Sequence, residues 1–263
     1  MSDVLSLDIQ DSIARVTLNR PEVMNALNRE LFEALSEVGL SLKSDNKVRA
    51  VVMDSSGPSF CVGLDVSVFS ESSGSSMLEV RNYGLTNILQ HTAWVWHEIP
   101  VPVITAIKGH CLGGGLQLAC GADMRFVHPE AKLSILEIKW GIVPDMAGSQ
   151  LWKRFVREDL LRDLTYTGRI FSGKEAFQYG FATRLCEDPL ADALEAASQV
   201  AGKNPHAIRA NKRIINQQAQ ASPAEGMLFE TIEQLAIAGT PNQAEAIQAN
   251  LEKRAPVFVD PES

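Results

Sequence analysis

The sequence predicts an α/β protein of layered sheets and helices, and three observations carry that expectation. Short β-branched, apolar runs alternate with helical stretches through the first half of the chain. Beyond Leu151 the strands stop and helical patterns follow one another. The chain has 263 residues, 45% hydrophobic and 21% charged, which is long enough and apolar enough to bury a large core.

The elements can be justified in order. Ile13 to Leu18 alternates with period two and reads as a strand, and Val48 to Met53, rich in valine, reads as a second. Between them Ala26, Leu27, Leu31, Ala34, Leu35, Val38 and Leu42 fall at helical spacing, with Asn25 placed to cap and Gly39 a weak point inside. Ser67 to Ser76 is Ser-rich and reads as a loop, either a plain surface connection or a flexible pocket wall. Val101 to Ile107 is a buried strand, Gly114 to Ala119 opens a helix, and Met124 to Val127 is a further strand. Helices are then expected over Gln150 to Val156, Asp159 to Tyr166, Gly173 to Tyr179, Leu190 to Ala201, Pro205 to Ala219, Pro223 to Ala238 and Asn242 to Arg254. Gly202-Lys203-Asn204-Pro205 is a stop signal followed by a proline, which divides the chain into a core, 1–200, and a helical region, 201–263.

Composition narrows the function. Lys and Arg number 24 against 32 Asp and Glu, a net charge of −8, so neither a nucleic-acid nor an anionic membrane surface is favoured and a small molecule becomes the expected partner. Cys61, Cys111, Cys120 and Cys186 form no C-x-x-C pair and sit in apolar runs, as reduced thiols of a cytoplasmic protein would. No apolar stretch approaches the roughly eighteen residues of a membrane span, and the first residues carry no basic segment leading into an apolar one. The phosphate loop, the G-x-S-x-G elbow and the H-E-x-x-H helix are absent. Leu118 stands where a dinucleotide fingerprint needs its third glycine. The five histidines have no metal-ligand spacing, so neither metal nor redox cofactor is expected.

Two loops remain, each at the end of a predicted strand: Phe60-Cys61-Val62-Gly63-Leu64-Asp65, and His110-Cys111-Leu112-Gly113-Gly114-Gly115. Glycines where a strand turns into a helix leave backbone N–H groups unobstructed, and a helix start adds positive potential, so an anionic oxygen could be held there. The same glycines also suit a tight turn that lets strand and helix pack closely.

These loops, with Asn19-Arg20-Pro21, Asn25-Ala26-Leu27, Gly109 and Glu137-Ile138-Lys139-Trp140-Gly141-Ile142-Val143-Pro144, occur in the order and spacing of the enoyl-CoA hydratase/isomerase, or crotonase, superfamily. The chain resembles that superfamily over almost its whole length. The resemblance implies a spiral of repeated ββα units with a C-terminal helical region that packs subunits into a homotrimer or a dimer of trimers. It implies an acyl-CoA substrate, coenzyme A being part of that substrate rather than a cofactor. It also implies that the Leu64 and Gly114 N–H groups hold the thioester oxygen, which suits an enolate whose charge needs preorganised donors.

Within the resemblance the acid and base residues decide the reaction. Hydratases carry glutamates at the positions of Gln117 and Glu137, and Gln117 cannot take a proton from water at neutral pH. Glu137 alone resembles the enoyl-CoA isomerases, and Asp145 resembles an acid of the dienoyl-CoA isomerases. Catalytic roles are therefore expected for Glu137, Asp145 and Gln117 in moving a double bond of a 3-enoyl or 3,5-dienoyl thioester. A 2-enoyl-CoA hydratase using one glutamate is the alternative, and a non-catalytic CoA-ester-binding trimer is the reading of another class. Gln117 could equally be a structural side chain of an inward-facing helix, and Asp145 a turn or cap residue. By the same resemblance Glu22, Val23, Met24 and Val62 border coenzyme A, and Lys253 meets its phosphates. Met77, Leu78, Leu85, Trp94 and Trp140 are candidates for the acyl pocket or for plain packing.

Overall fold

The computed structural model describes residues 3–70 and 74–262. In chain order the strands and helices are β1 (Leu5–Gln10), β2 (Ile13–Leu18), α1 (Arg29–Ser44), β3 (Ala50–Ser55), α2 (Ser67–Ser70), α3 (Gly74–Glu79), α4 (Ile88–Glu98), β4 (Val103–Ile107), β5 (His110–Leu112), α5 (Gly114–Ala119), β6 (Met124–Val127) and β7 (Lys132–Ser134). They continue with α6 (Gly148–Trp152), α7 (Glu158–Thr167), β8 (Phe171–Ser172), α8 (Gly173–Tyr179), β9 (Arg184–Leu185), α9 (Pro189–Ala201), α10 (Pro205–Gln218), α11 (Pro223–Ile237) and α12 (Pro241–Glu252).

One sheet has the order β1-β2-β3-β4-β6-β9, parallel apart from the β1–β2 hairpin; a second has the order β5-β7-β8. The chain winds between them. β4 feeds the first sheet, β5 the second, and α5 closes the turn; β6 and β7 repeat the step. After β3, Cys61 pairs in parallel with Cys111 of β5, so the segment 60–62 lies against the second sheet in the same way. This is the expected spiral of ββα units.

Both faces of the middle of the first sheet are covered, which is why β3 and β4 are buried along their whole length, while β2 alternates and β1 is mostly exposed. Along β3, Val51 and Met53 enter the main core, while Ala50 and Val52 point the other way, onto Ala193, Ala196 and Ala197 of α9. Gly39 is no weak point: a Cβ there would lie 2.5 Å from Val95, so the glycine lets α1 and α4 approach closely. α10 is tied back to the core by Lys212, whose ammonium pairs with Asp123 at 2.7 Å and donates to the Val101 carbonyl at 2.9 Å. The C-terminal segment crosses to Arg49, which binds Asp260 and the Phe258 carbonyl.

Several expectations are corrected. The cap of α1 is Asn28, whose side chain accepts from the Leu31 N–H. Asn25 is buried with φ +57°, bracing the site loop by accepting from the Arg20 N–H and donating to the Ser56 and Ser59 carbonyls. The Ser-rich stretch is not simply a loop, since α2 and α3 occupy its two ends; residues 71–73 lie outside the described residues. β1 and α4 were not foreseen. The four cysteines are free and buried, and burial pushes the Cys61 thiol up to about 12.

Candidate active site

A cavity of about 480 Å³ opens where the two glycine loops meet the turn after β7. Val23, Met24, Val62, Leu64, Gly114 and Glu137 line it, all expected at the site, and Ala26, Asp65, His110, Lys139, Trp140 and Ile142 are among the other wall residues.

The loop wall is made of backbone. Leu112 donates to the Cys61 carbonyl, Cys61 to His110 and Phe60 to Lys108, zipping the first loop along β5. A Cβ at Gly63, where φ is +94°, would sit 2.9 Å from the Leu112 carbonyl and 3.5 Å from the Gly114 N, and one at Gly115 would collide with Cys61. The two loops are thus packed closely, with no room for a side chain at either position. Leu27 pairs with Leu64 through the Gly63 carbonyl and the Asp65 N–H, which turns the Leu64 N–H away from Leu27. Gly114 is the first residue of α5, so its N–H has no acceptor in the helix. Both donors belong to cavity-lining residues. Arg20 braces this wall through its bonds to Asp65, at 3.1 Å, and to the Ala26 carbonyl.

The facing wall is made of side chains. Glu137 begins a single 3-10 turn, Glu137–Trp140, and is only 5% exposed, so it is no solvated loop-edge acid. Its Oε1 accepts from Gln117 Nε2 at 2.6 Å, and its Oε2 is buried with no hydrogen-bond partner. Gln117 Oε1 in turn accepts from the Met146 and Gly148 N–H groups at 2.9 and 3.0 Å. Burial raises the Glu137 carboxyl above its ordinary value; the Gln117 hydrogen bond opposes the rise and the like charge of Asp145 adds to it. Burial likewise raises Asp145, which does not cap α6, since that position is held by Ala147 at φ +66°. The Gly113 Cα faces the Glu137 carboxylate: a Cβ there would lie 3.6 Å from Oε1.

The structure therefore brings Glu137, Gln117, Asp145, Leu64 and Gly114 together. Glu22 lies in an exposed turn beside the cavity-lining Val23, and Lys253 caps α12, exposed and outside the cavity lining. Of the acyl-pocket candidates Trp140 lines the cavity; Met77 is core, Trp94 packs against the core with its indole on Glu98, and Leu78 and Leu85 are exposed. His110 was not foreseen as a wall residue. Its Nδ1 bonds the buried Ser59 hydroxyl at 3.0 Å, and its place inside the glycine loop was the available signal. Among the described residues no cluster of three or more His, Cys, Asp or Glu could hold a metal, and no helix is long and apolar enough to cross a membrane.

A spiral of ββα turns that brings two glycine loops and a buried carboxylate to one cavity has the architecture of an enzyme site. The sequence pattern of the enoyl-CoA hydratase/isomerase family matches residues 8–261, and the chain belongs to that family of acyl-CoA enzymes. It is similar to the (E)-benzylidenesuccinyl-CoA hydratase of Thauera aromatica, 29% identical over 257 residues, 97% of this chain and 98% of that one. It is also similar to the mitochondrial methylglutaconyl-CoA hydratase of Mus musculus, 31% identical over 252 residues, 92% of this chain and 77% of the other. Among solved structures, an enoyl-CoA hydratase from Bacillus anthracis superposes with a TM-score of 0.87 at 27% identity, covering 97% of this chain and 98% of that one.

Proposed function

We propose that the protein moves a carbon–carbon double bond within an acyl-CoA thioester, taking a 3-enoyl substrate to its 2-enoyl isomer or a 3,5-dienoyl substrate to the 2,4-dienoyl one. The thioester oxygen accepts from the Leu64 and Gly114 N–H groups. Glu137 Oε2 takes the proton from the carbon next to the thioester, the electron pair spreads into a dienolate from the 3-enoyl substrate or a trienolate from the 3,5-dienoyl one, and the amides stabilise the charge as it forms. Glu137 or Asp145 then returns a proton farther along the chain. The observation that carries this reading is the buried, unpartnered Oε2 of Glu137, a proton acceptor across from two free backbone donors, with an amide rather than a second carboxylate at position 117.

The pantetheine and adenine would run past Val23, Met24 and Val62, beside Glu22. Lys253, exposed at the end of α12, would meet the phosphates. A homotrimer or a dimer of trimers would be built on region 201–263, where Met227, Leu228, Ile232 and Leu235 of α11 and Leu251 of α12 are exposed. The chemistry suits a cytoplasmic pool of acyl-CoA.

Hydration of a 2-enoyl thioester is the second reading, favoured by the names of the relatives. Turnover of purified protein on 3-enoyl-CoA and on 2-enoyl-CoA, with the products identified, separates the two. Faster isomerisation supports the first reading; a 3-hydroxyacyl product formed faster than any isomer overturns it. Tight CoA-ester binding with no turnover of these or of a 3,5-dienoyl-CoA would favour a binding protein.

A further inference from the structure

Gln117 makes three hydrogen bonds inside the protein, and together they fix which way its amide points. Its oxygen accepts two backbone N–H groups, from Met146 and Gly148, so the NH₂ group must be the end that meets Glu137 Oε1. The side chain is 1% exposed and is not part of the cavity lining. A group that touches neither solvent nor the cavity is not placed to bind water or substrate. What it does touch is α5, the Glu137 turn and the loop carrying Asp145, the three segments that frame the proton-transfer side of the site.

We infer that Gln117 is a positioning residue: its carboxamide clamps Oε1 of Glu137 to the loop 145–148 and leaves Oε2 as the oxygen that exchanges the proton. Three geometric facts carry this. The Gln117–Glu137 contact, at 2.6 Å, is short for an N–H donor, as expected for a bond to a carboxylate. The two backbone donors lie either side of Ala147, whose left-handed backbone turns both N–H groups toward one acceptor. Gly148 has no space for a Cβ, which would stand 2.7 Å from Gln117 Oε1, so the clamp is packed shut from that side too. Because the donated hydrogen bond favours the ionised carboxylate, the clamp also opposes the burial and the Asp145 charge that raise Glu137. Lys139, on the same turn, and His110 and Asp65, across the cavity, are the other titratable groups of the wall.

The role as a clamp on the reacting base rests on the reading of Glu137 above, so the test reads ionisation separately from turnover. The Glu137 carboxyl is titrated by carbon-13 NMR in protein labelled at glutamate, the signal being assigned by its loss in Glu137→Gln. In Gln117→Met, close in volume but without the donor, the midpoint should rise by about one pH unit or more, the size expected when a buried carboxylate loses a hydrogen bond. In Gln117→Glu, which keeps the acceptor for both backbone N–H groups but brings a second carboxylate, it should rise further. The acid limb of kcat/KM should move with it, kcat falling more than KM changes. An NMR midpoint unmoved in Gln117→Met overturns the inference, whatever the added charge does in Gln117→Glu. A shifted midpoint with turnover surviving Glu137→Gln overturns instead the assignment of Glu137 as the base. Should Gln117→Met fail to fold, Gln117→Leu, which also lacks the donor to Oε1, gives the same reading.

Discussion

The two walls of the cavity are built from different materials. The loop wall, 60–65 and 110–115, presents main-chain donors held by strand pairing and by glycines with no room for a side chain. The opposite wall, from Glu137 to Gly148, presents side chains whose charge and hydrogen bonding set what they do. A substitution at Leu64 or Gly114 on the loop wall therefore acts by moving or deleting a backbone group. On the other wall a substitution changes the chemistry outright.

Substitutions test that division, the largest effect first. Glu137→Gln removes the proposed base with little change in shape and should lower kcat by about 10³-fold, within the range for loss of a general base. Steady-state kinetics with the melting temperature checked alongside would show it. Gly114→Pro deletes one donor at the first position of α5, where its ring would also press on Met146 and Leu27, and should cost at least about 10²- to 10³-fold in kcat. Asp145→Asn removes the like charge facing Glu137. The base must be ionised, so activity falls as pH drops through its raised pKa; without Asp145 that fall should come at lower pH in a kcat/KM profile. Leu64→Ala keeps the N–H and should stay within about threefold of the parent in kcat. A reversed order of the Gly114 and Leu64 variants would show that the loop wall acts through side chains.

How much of this was legible in the sequence follows the same division. The glycine loops could be found because they are contiguous and their residue types have few other uses. α5, β6 and α8 could be placed because a clear turn or cap borders each. Strands of two or three residues, such as β8 and β9, are too short for any period to register. α4 buries residues around most of its girth, which blurs a helical stripe. Leu5, Leu7 and Ile9 do alternate, a signal for β1 that went unread. Asn25 looks like a cap in the sequence, and only the three-dimensional path of the loop shows that Asn28 caps α1 while Asn25 frames the site. The Gln117 clamp joins segments 20 and 29 residues apart through an amide that a sequence shows only as a missing acid.

The strap formed by the C-terminal segment constrains how the helical region can move. Asn242 holds the Val259 backbone through both its amide groups, and Arg49, just before β3, grips Phe258 and Asp260. Together with Lys212 this anchors α10 to α12 at two separate points, like a truss pinned at both feet. A rocking motion about Asn204 would have to tear one pin loose, so a pull on α12 is felt at the first residues of β3.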